Sequence, residues 1–147
     1  MLRRRLKNLV SVGSLPPFSV FAKLQTLTTV GQPSDVCEHV IGDTFVIVTV
    51  PERAELLAQD IINRFDAAIL AYYSPEDQHN KYFDMVDRRG NPYRAYLVGV
   101  SIAIVSNAYR ELEHVLHVEA LATEVKKYLK LLPSSRYAGD YSQVHTP

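Results

Sequence analysis

The chain has a single cysteine among its 147 residues, Cys37, so it has no internal disulfide and no cysteine-built zinc or iron–sulfur site. A reducing cytosol is the expected setting. It has no excess charge either: 16 Lys and Arg offset 16 Asp and Glu, which removes any global electrostatic attraction to nucleic acid or to an acidic membrane. No apolar stretch approaches the roughly 20 residues that a membrane-spanning helix needs. Residues 1–30 contain no acid, although they gather Arg3, Arg4, Arg5, Lys7 and Lys23. That basic start is not expected to be a signal peptide, because the leader has no apolar run longer than two residues, as at Leu9–Val10. Also missing are a GxGxxG or Walker phosphate loop and any defensible Ser/His/Asp arrangement.

What is present is the 47% hydrophobic content of one compact domain with a core. Phe18, Phe21, Leu24 and Leu27 recur at helical spacing, predicting a helix over 18–29. Runs 36–41 and 45–50 flank Gly42-Asp43 as a hairpin would, and the second run barely alternates, which predicts burial of both its faces. Pro51 opens a helix with the buried stripe Ala54, Leu57, Ala58, Ile61, Phe65 and Ala68. Residues 72–80 read as a polar loop. A second hairpin is expected from 82–87 and 93–105 around Arg88-Arg89-Gly90-Asn91, and a last helix with Val118, Leu121, Ala122, Val125, Leu129 and Leu132 on one stripe is stopped by Pro133. The alternation suggests an α+β fold, a sheet with helices packed on it.

Several polar clusters invite chemistry and have plainer readings. His114 and His117, among Glu111, Glu113 and Glu119, have a spacing that suits two metal ligands, but no third ligand is fixed by sequence. Lys126, Lys127 and Lys130 fit the solvent face of a helix whose C-terminal half favours cations. Cys37 in a strand reads as a structural thiol. The hairpin tip at Gly42-Asp43 puts a carboxylate and open N–H groups at a tight bend; this suits a metal and phosphates, and it suits a plain turn equally well.

At that tip the chain resembles the GGDEF family, the diguanylate cyclases that condense two GTP into cyclic di-GMP. Ile41-Gly42-Asp43-Thr44-Phe45 stands where the family has Gly-Gly-Asp/Glu-Asp/Glu-Phe. The similarity extends through Val30-Gly31-Gln32-Pro33-Ser34-Asp35, Pro51-Glu52-Arg53-Ala54-Glu55, Asp87-Arg88-Arg89-Gly90, Ser101 to Val105, and Glu124 to Lys130. It implies a ferredoxin-like, nucleotidyl-cyclase palm-type sheet over residues 18–137; composition marks off a basic leader, 1–17, before it and a polar tail, 138–147, expected to be disordered, after it.

The resemblance also implies that the chemistry is gone. The family holds two metal ions between a first-strand carboxylate and the acid after Gly-Gly; here no Asp or Glu precedes Asp35, Ile41 replaces a glycine and Thr44 replaces an acid. Asp43 aligns with the one surviving metal ligand, a poor magnesium site without substrate phosphates. Gln32 and Asp35 align with the inhibitory Arg-x-x-Asp site, and Gln32 lacks the cationic fork of arginine. Lys130 and Arg136 align with phosphate-gripping residues. No catalytic residue is therefore expected, and no cofactor unless Mg2+ accompanies residual nucleotide. The expected role is an inactive, cytoplasmic regulatory or interaction module in bacterial cyclic di-GMP signalling, with a protein partner or a homodimer, no nucleic acid and no membrane. The alternatives are a sensor that takes GTP or cyclic di-GMP weakly, and a cyclase half-site completed by another chain.

The family's first strand lies centrally in the sheet. The only upstream candidate for that place is residues 5–12, where Leu6, Val10 and Val12 share one parity. The leader is thus expected to supply a central strand between 45–50 and 97–105; the plainer reading is a floppy basic arm, with the gap closed by a second chain.

Overall fold

The computed structural model describes residues 8–13, 35–41, 44–108 and 110–140. The helix expected over 18–29, Gln32, Gly42, Asp43 and residues 141–147 lie outside the described residues. The main sheet has five strands: β1 (Asn8–Gly13), β2 (Val36–Ile41), β3 (Thr44–Thr49), β6 (Ser101–Val105) and β7 (Arg136–Gly139), ordered β2-β3-β1-β6-β7. β1 pairs antiparallel with both β3 and β6, and only β6 and β7 run parallel. The gap between the two apolar strands is therefore filled by residues 8–13 of the leader.

Among the described residues, two helices cover the sheet. After a 3₁₀ turn at Pro51–Arg53, α1 (Ala54–Ile69) buries Leu57, Ala58, Ile61, Ile62 and Phe65 against Phe45, Ile47, Val100, Ile102 and Ile104. On the opposite side, α3 (Val115–Leu129) packs Val118 and Ala122 on Ala103 and Val105. Successive β6 residues thus serve two cores, which is why all five are buried. The architecture is α+β.

Several expectations need correction. Both faces of β3 were expected to be buried, but its burial alternates: Phe45, Ile47 and Thr49 are buried, and Val46 and Val48 are half-buried. The cluster beneath α3 draws its strand residues from β6 and none from β3. Residues 72–80 are not a loop; the 3₁₀ turn Leu70–Tyr72 is followed by a short helix, α2 (Pro75–Asn80). Ser74 starts α2, with its Oγ accepting from the Asp77 N–H at 3.1 Å and Pro75 at the position that needs no amide hydrogen. The arm expected over 93–105 is two strands in two sheets. β4 (Tyr82–Val86) and β5 (Pro92–Tyr96) form a separate two-stranded ribbon, and the chain crosses into β6 through residues 97–100. Finally, β7 runs past the expected boundary at 137. Asp140, just beyond it, is held by its N–H to the Ile104 carbonyl at 2.9 Å and by Arg110 Nε on its buried carboxylate at 2.8 Å.

Gly99 makes the crossing possible. A Cβ at this position would lie 2.8 Å from the backbone of Ser134 and Ser135. Ser135 Oγ accepts from the Val100 N–H at 3.0 Å and donates to Asp66 on α1, tying helix, crossing and β7 together. Gly99→Ala should lower the unfolding free energy by about 1–3 kcal/mol in urea denaturation, the usual cost of forcing atoms into packed space; an unchanged midpoint would show that the approach is slack.

The ribbon's turn is held by Asp87, whose carboxylate accepts from the N–H groups of Asn91 at 2.9 Å and Arg89 at 2.8 Å. These bonds, Asn91 foremost, hold the carboxyl below its ordinary pKa. A depressed carboxyl stabilises the turn above its unfolded-state pKa and loses that contribution as pH falls through the lower folded-state value. Amide shifts of Arg89 and Asn91 should therefore titrate together below the usual Asp range and stay constant in Asp87→Asn.

Candidate functional site

The register brings the β2–β3 connection and Arg136 to one end of the sheet. Ile41 pairs with Thr44, leaving Gly42 and Asp43 as the connection, and β2 carries one extra residue between His39 and Ile41, a bulge. Across the sheet, Phe45 is level with Val12, Val12 with Ile102, and Ile102 with Tyr137. One step further along, Gly13 is level with Ser101 and Ser101 with Arg136. The hairpin connection, the end of β1, the start of β6 and Arg136 therefore share one sheet end. Phe45 and Tyr137 are three strand spacings apart, about 14 Å.

At that end, a cleft of about 300 Å³ opens between Tyr96, Gly99, Ser101, Lys130, Leu131 and Ser134. Lys130 is exposed at the C-terminal end of α3, where the helix dipole favours its charge. Arg136 is half-buried; its N–H binds the Val100 carbonyl at 2.9 Å, and its Nε lies 3.4 Å from the Pro133 carbonyl. Ser134 adopts a left-handed backbone conformation (φ 74°) that turns the chain around the cleft. No protein-family model, curated protein or solved structure matches the chain.

The remaining candidates are distributed differently. Asp35 precedes Val36, which pairs with Val48, so it lies at the far end of the β2–β3 pair from the connection and is not brought to Lys130 and Arg136. Phe45 is a core residue beneath α1. His114 is the N-cap of α3, its Nδ1 accepting from the Leu116 N–H at 3.1 Å, and His117 lies in the first turn. Among the described residues, no group of three or more His, Cys, Asp or Glu is arranged to hold a metal. Cys37 packs against the core, and that burial, with the Glu38 charge second, pushes its thiol up and favours the protonated form. No helix among the described residues is long and apolar enough to cross a membrane.

Sequence reasoning missed the cleft wall at Tyr96, Gly99 and Ser134. Its one signal was a glycine inside an otherwise apolar run.

These placements separate core from surface at the motif. Phe45→Ala should cost about 3–5 kcal/mol, as for a core phenylalanine, whereas Lys130→Ala should stay within about 0.5 kcal/mol. Equal, small effects in parallel denaturation curves would contradict the burial of Phe45.

Proposed function

We propose that this chain is a degenerate GGDEF-like domain with the ferredoxin-like, palm-type fold, without cyclase activity. It acts as a cytoplasmic regulatory or protein-interaction module in bacterial cyclic di-GMP signalling. One observation carries the proposal: β1, paired between β3 and β6, reads Asn-Leu-Val-Ser-Val-Gly and contains no carboxylate. Two-metal catalysis positions the nucleophile and the phosphate together, which requires ligands from more than one element. Asp43 supplies one carboxylate at the hairpin, and the strand that should supply another has none. Ile41 further replaces the small residue that would let a nucleotide approach the backbone.

A second reading, a sensor for GTP or cyclic di-GMP, is favoured by the location of the Lys130-lined cleft and Arg136 at the hairpin end of the sheet. Against it stand Ile41 and Gln32. Losing a charge-assisted arginine contact costs about 1.5–3 kcal/mol per hydrogen bond.

The proposal is tested by incubating purified protein with GTP and Mg2+ or Mn2+: no cyclic di-GMP should form. Product that disappears in Asp43→Ala would overturn it. Calorimetry distinguishes the sensor, because submicromolar cyclic di-GMP binding would favour that reading, whereas the module reading expects none and expects Gln32→Arg to strengthen any residual binding.

A further inference from the structure

Among the described residues, the β4–β5 ribbon is tied to the rest of the chain at its base. There, Tyr73 lies 5.9 Å from the Phe83 ring and its hydroxyl accepts from the Val98 N–H at 3.0 Å; within the ribbon, Arg94 stacks on Tyr82 at 3.8 Å. Toward the tip the apolar side chains stay in solvent: Met85 is 41% exposed, Val86 64% and Tyr93 46%. The tip itself carries Arg88 and Arg89, both exposed, while Arg94 is paired with Asp84. The outer ribbon is thus an apolar knob with a basic rim. Two-stranded ribbons are marginal in water without a packing partner.

The same chain carries a surface of opposite character. At the start of α3, Val115 is 70% exposed and Leu116 63%, and Glu111, Glu113 and Glu119 around them are all exposed. Glu119 lies one helical turn from Val115 and Leu116, so acid and apolar groups share a face. The ribbon joins the sheet ahead of Ser101, at the start of β6, whereas α3 follows the other end of that strand, beyond Val105.

We infer that the ribbon tip of one copy docks on the start of α3 in a second copy, with Met85 and Tyr93, a cross-strand pair on one ribbon face, against Val115 and Leu116, and Arg88 and Arg89 against Glu113 and Glu119. The inference deepens the interaction-module reading by making a second copy the partner, and charge complementarity selects that partner. Tip and patch are different surfaces, so the contact is heterologous and repeats head to tail unless a ring or a reciprocal dimer closes it.

Sedimentation of the full chain over a concentration series tests this. The wild type should self-associate, less so at high salt because its rim charges are screened. Arg88→Glu with Arg89→Glu, or Glu113→Lys with Glu119→Lys, should each raise the self-dissociation constant about tenfold or more, because reversal sets like charges against each other. All four positions are exposed, so both variants should keep the wild-type unfolding midpoint. Mixing the two variants should restore association, the acidic tip of one meeting the basic patch of the other. A wild type that stays monomeric at millimolar concentration, association indifferent to both reversals, or a mixture that does not associate would each overturn the inference. The cyclase assay is independent of all three outcomes, so failure here leaves the inactive-domain reading to be judged by that assay.

Discussion

The fold depends on the backbone pairing of residues 8–13 with strands on both sides. Without β1, β3 and β6 would each present an open edge, and both are almost wholly apolar, the combination that templates aggregation. With β1 in place, the two halves of the sheet become one surface on which α1 can span Phe45 and Ile47 on one side of the join and Ile102 and Ile104 on the other. β6 then distributes its side chains between the core under α1 and the smaller core under α3.

The same strand links the architecture to the proposed loss of chemistry. A central strand needs backbone pairing and shape, and Asn-Leu-Val-Ser-Val-Gly supplies these without a carboxylate. Sheet integrity and metal binding are separable demands on one segment, so a domain can keep the first after losing the second. On the proposed reading, selection then acts on surfaces and no longer on a reaction centre. The exposed ribbon tip and the exposed start of α3 are two places, among the described residues, where large apolar side chains lie beside exposed charge.

Much of this was legible in the residues. The central strand expected over 5–12 followed from the resemblance, whose family places its first strand in the middle of the sheet, and from the shared parity of Leu6, Val10 and Val12; the structure sets the strand at Asn8–Gly13. The hairpin at Gly42-Asp43 and the turn at Arg88-Arg89-Gly90-Asn91 were signalled by turn residues between β-branched or aromatic runs. Composition failed at 72–80, where polarity suggested a loop while Ser74 and Pro75 spelled a helix start. It failed again at 93–105, because hydropathy reports burial and not which sheet a residue joins; the change of sheet turns on Gly99, whose role depends on Ser134 and Ser135 far along the chain. For the same reason, the cleft around Lys130 was invisible as a cleft. Its walls come from β5, the crossing and the end of α3, which meet only in the folded chain.

Native-state hydrogen exchange tests the central claim most directly, because it reads the pairing of β1 residue by residue. If Asn8–Gly13 is a central strand, the amides of Leu9 to Val12 that bond to β3 and β6 should exchange with the slowest class, alongside Ile102 to Ile104, through global unfolding. Exchange of those amides at the rate of an unstructured arm, with β6 still protected, would contradict the account.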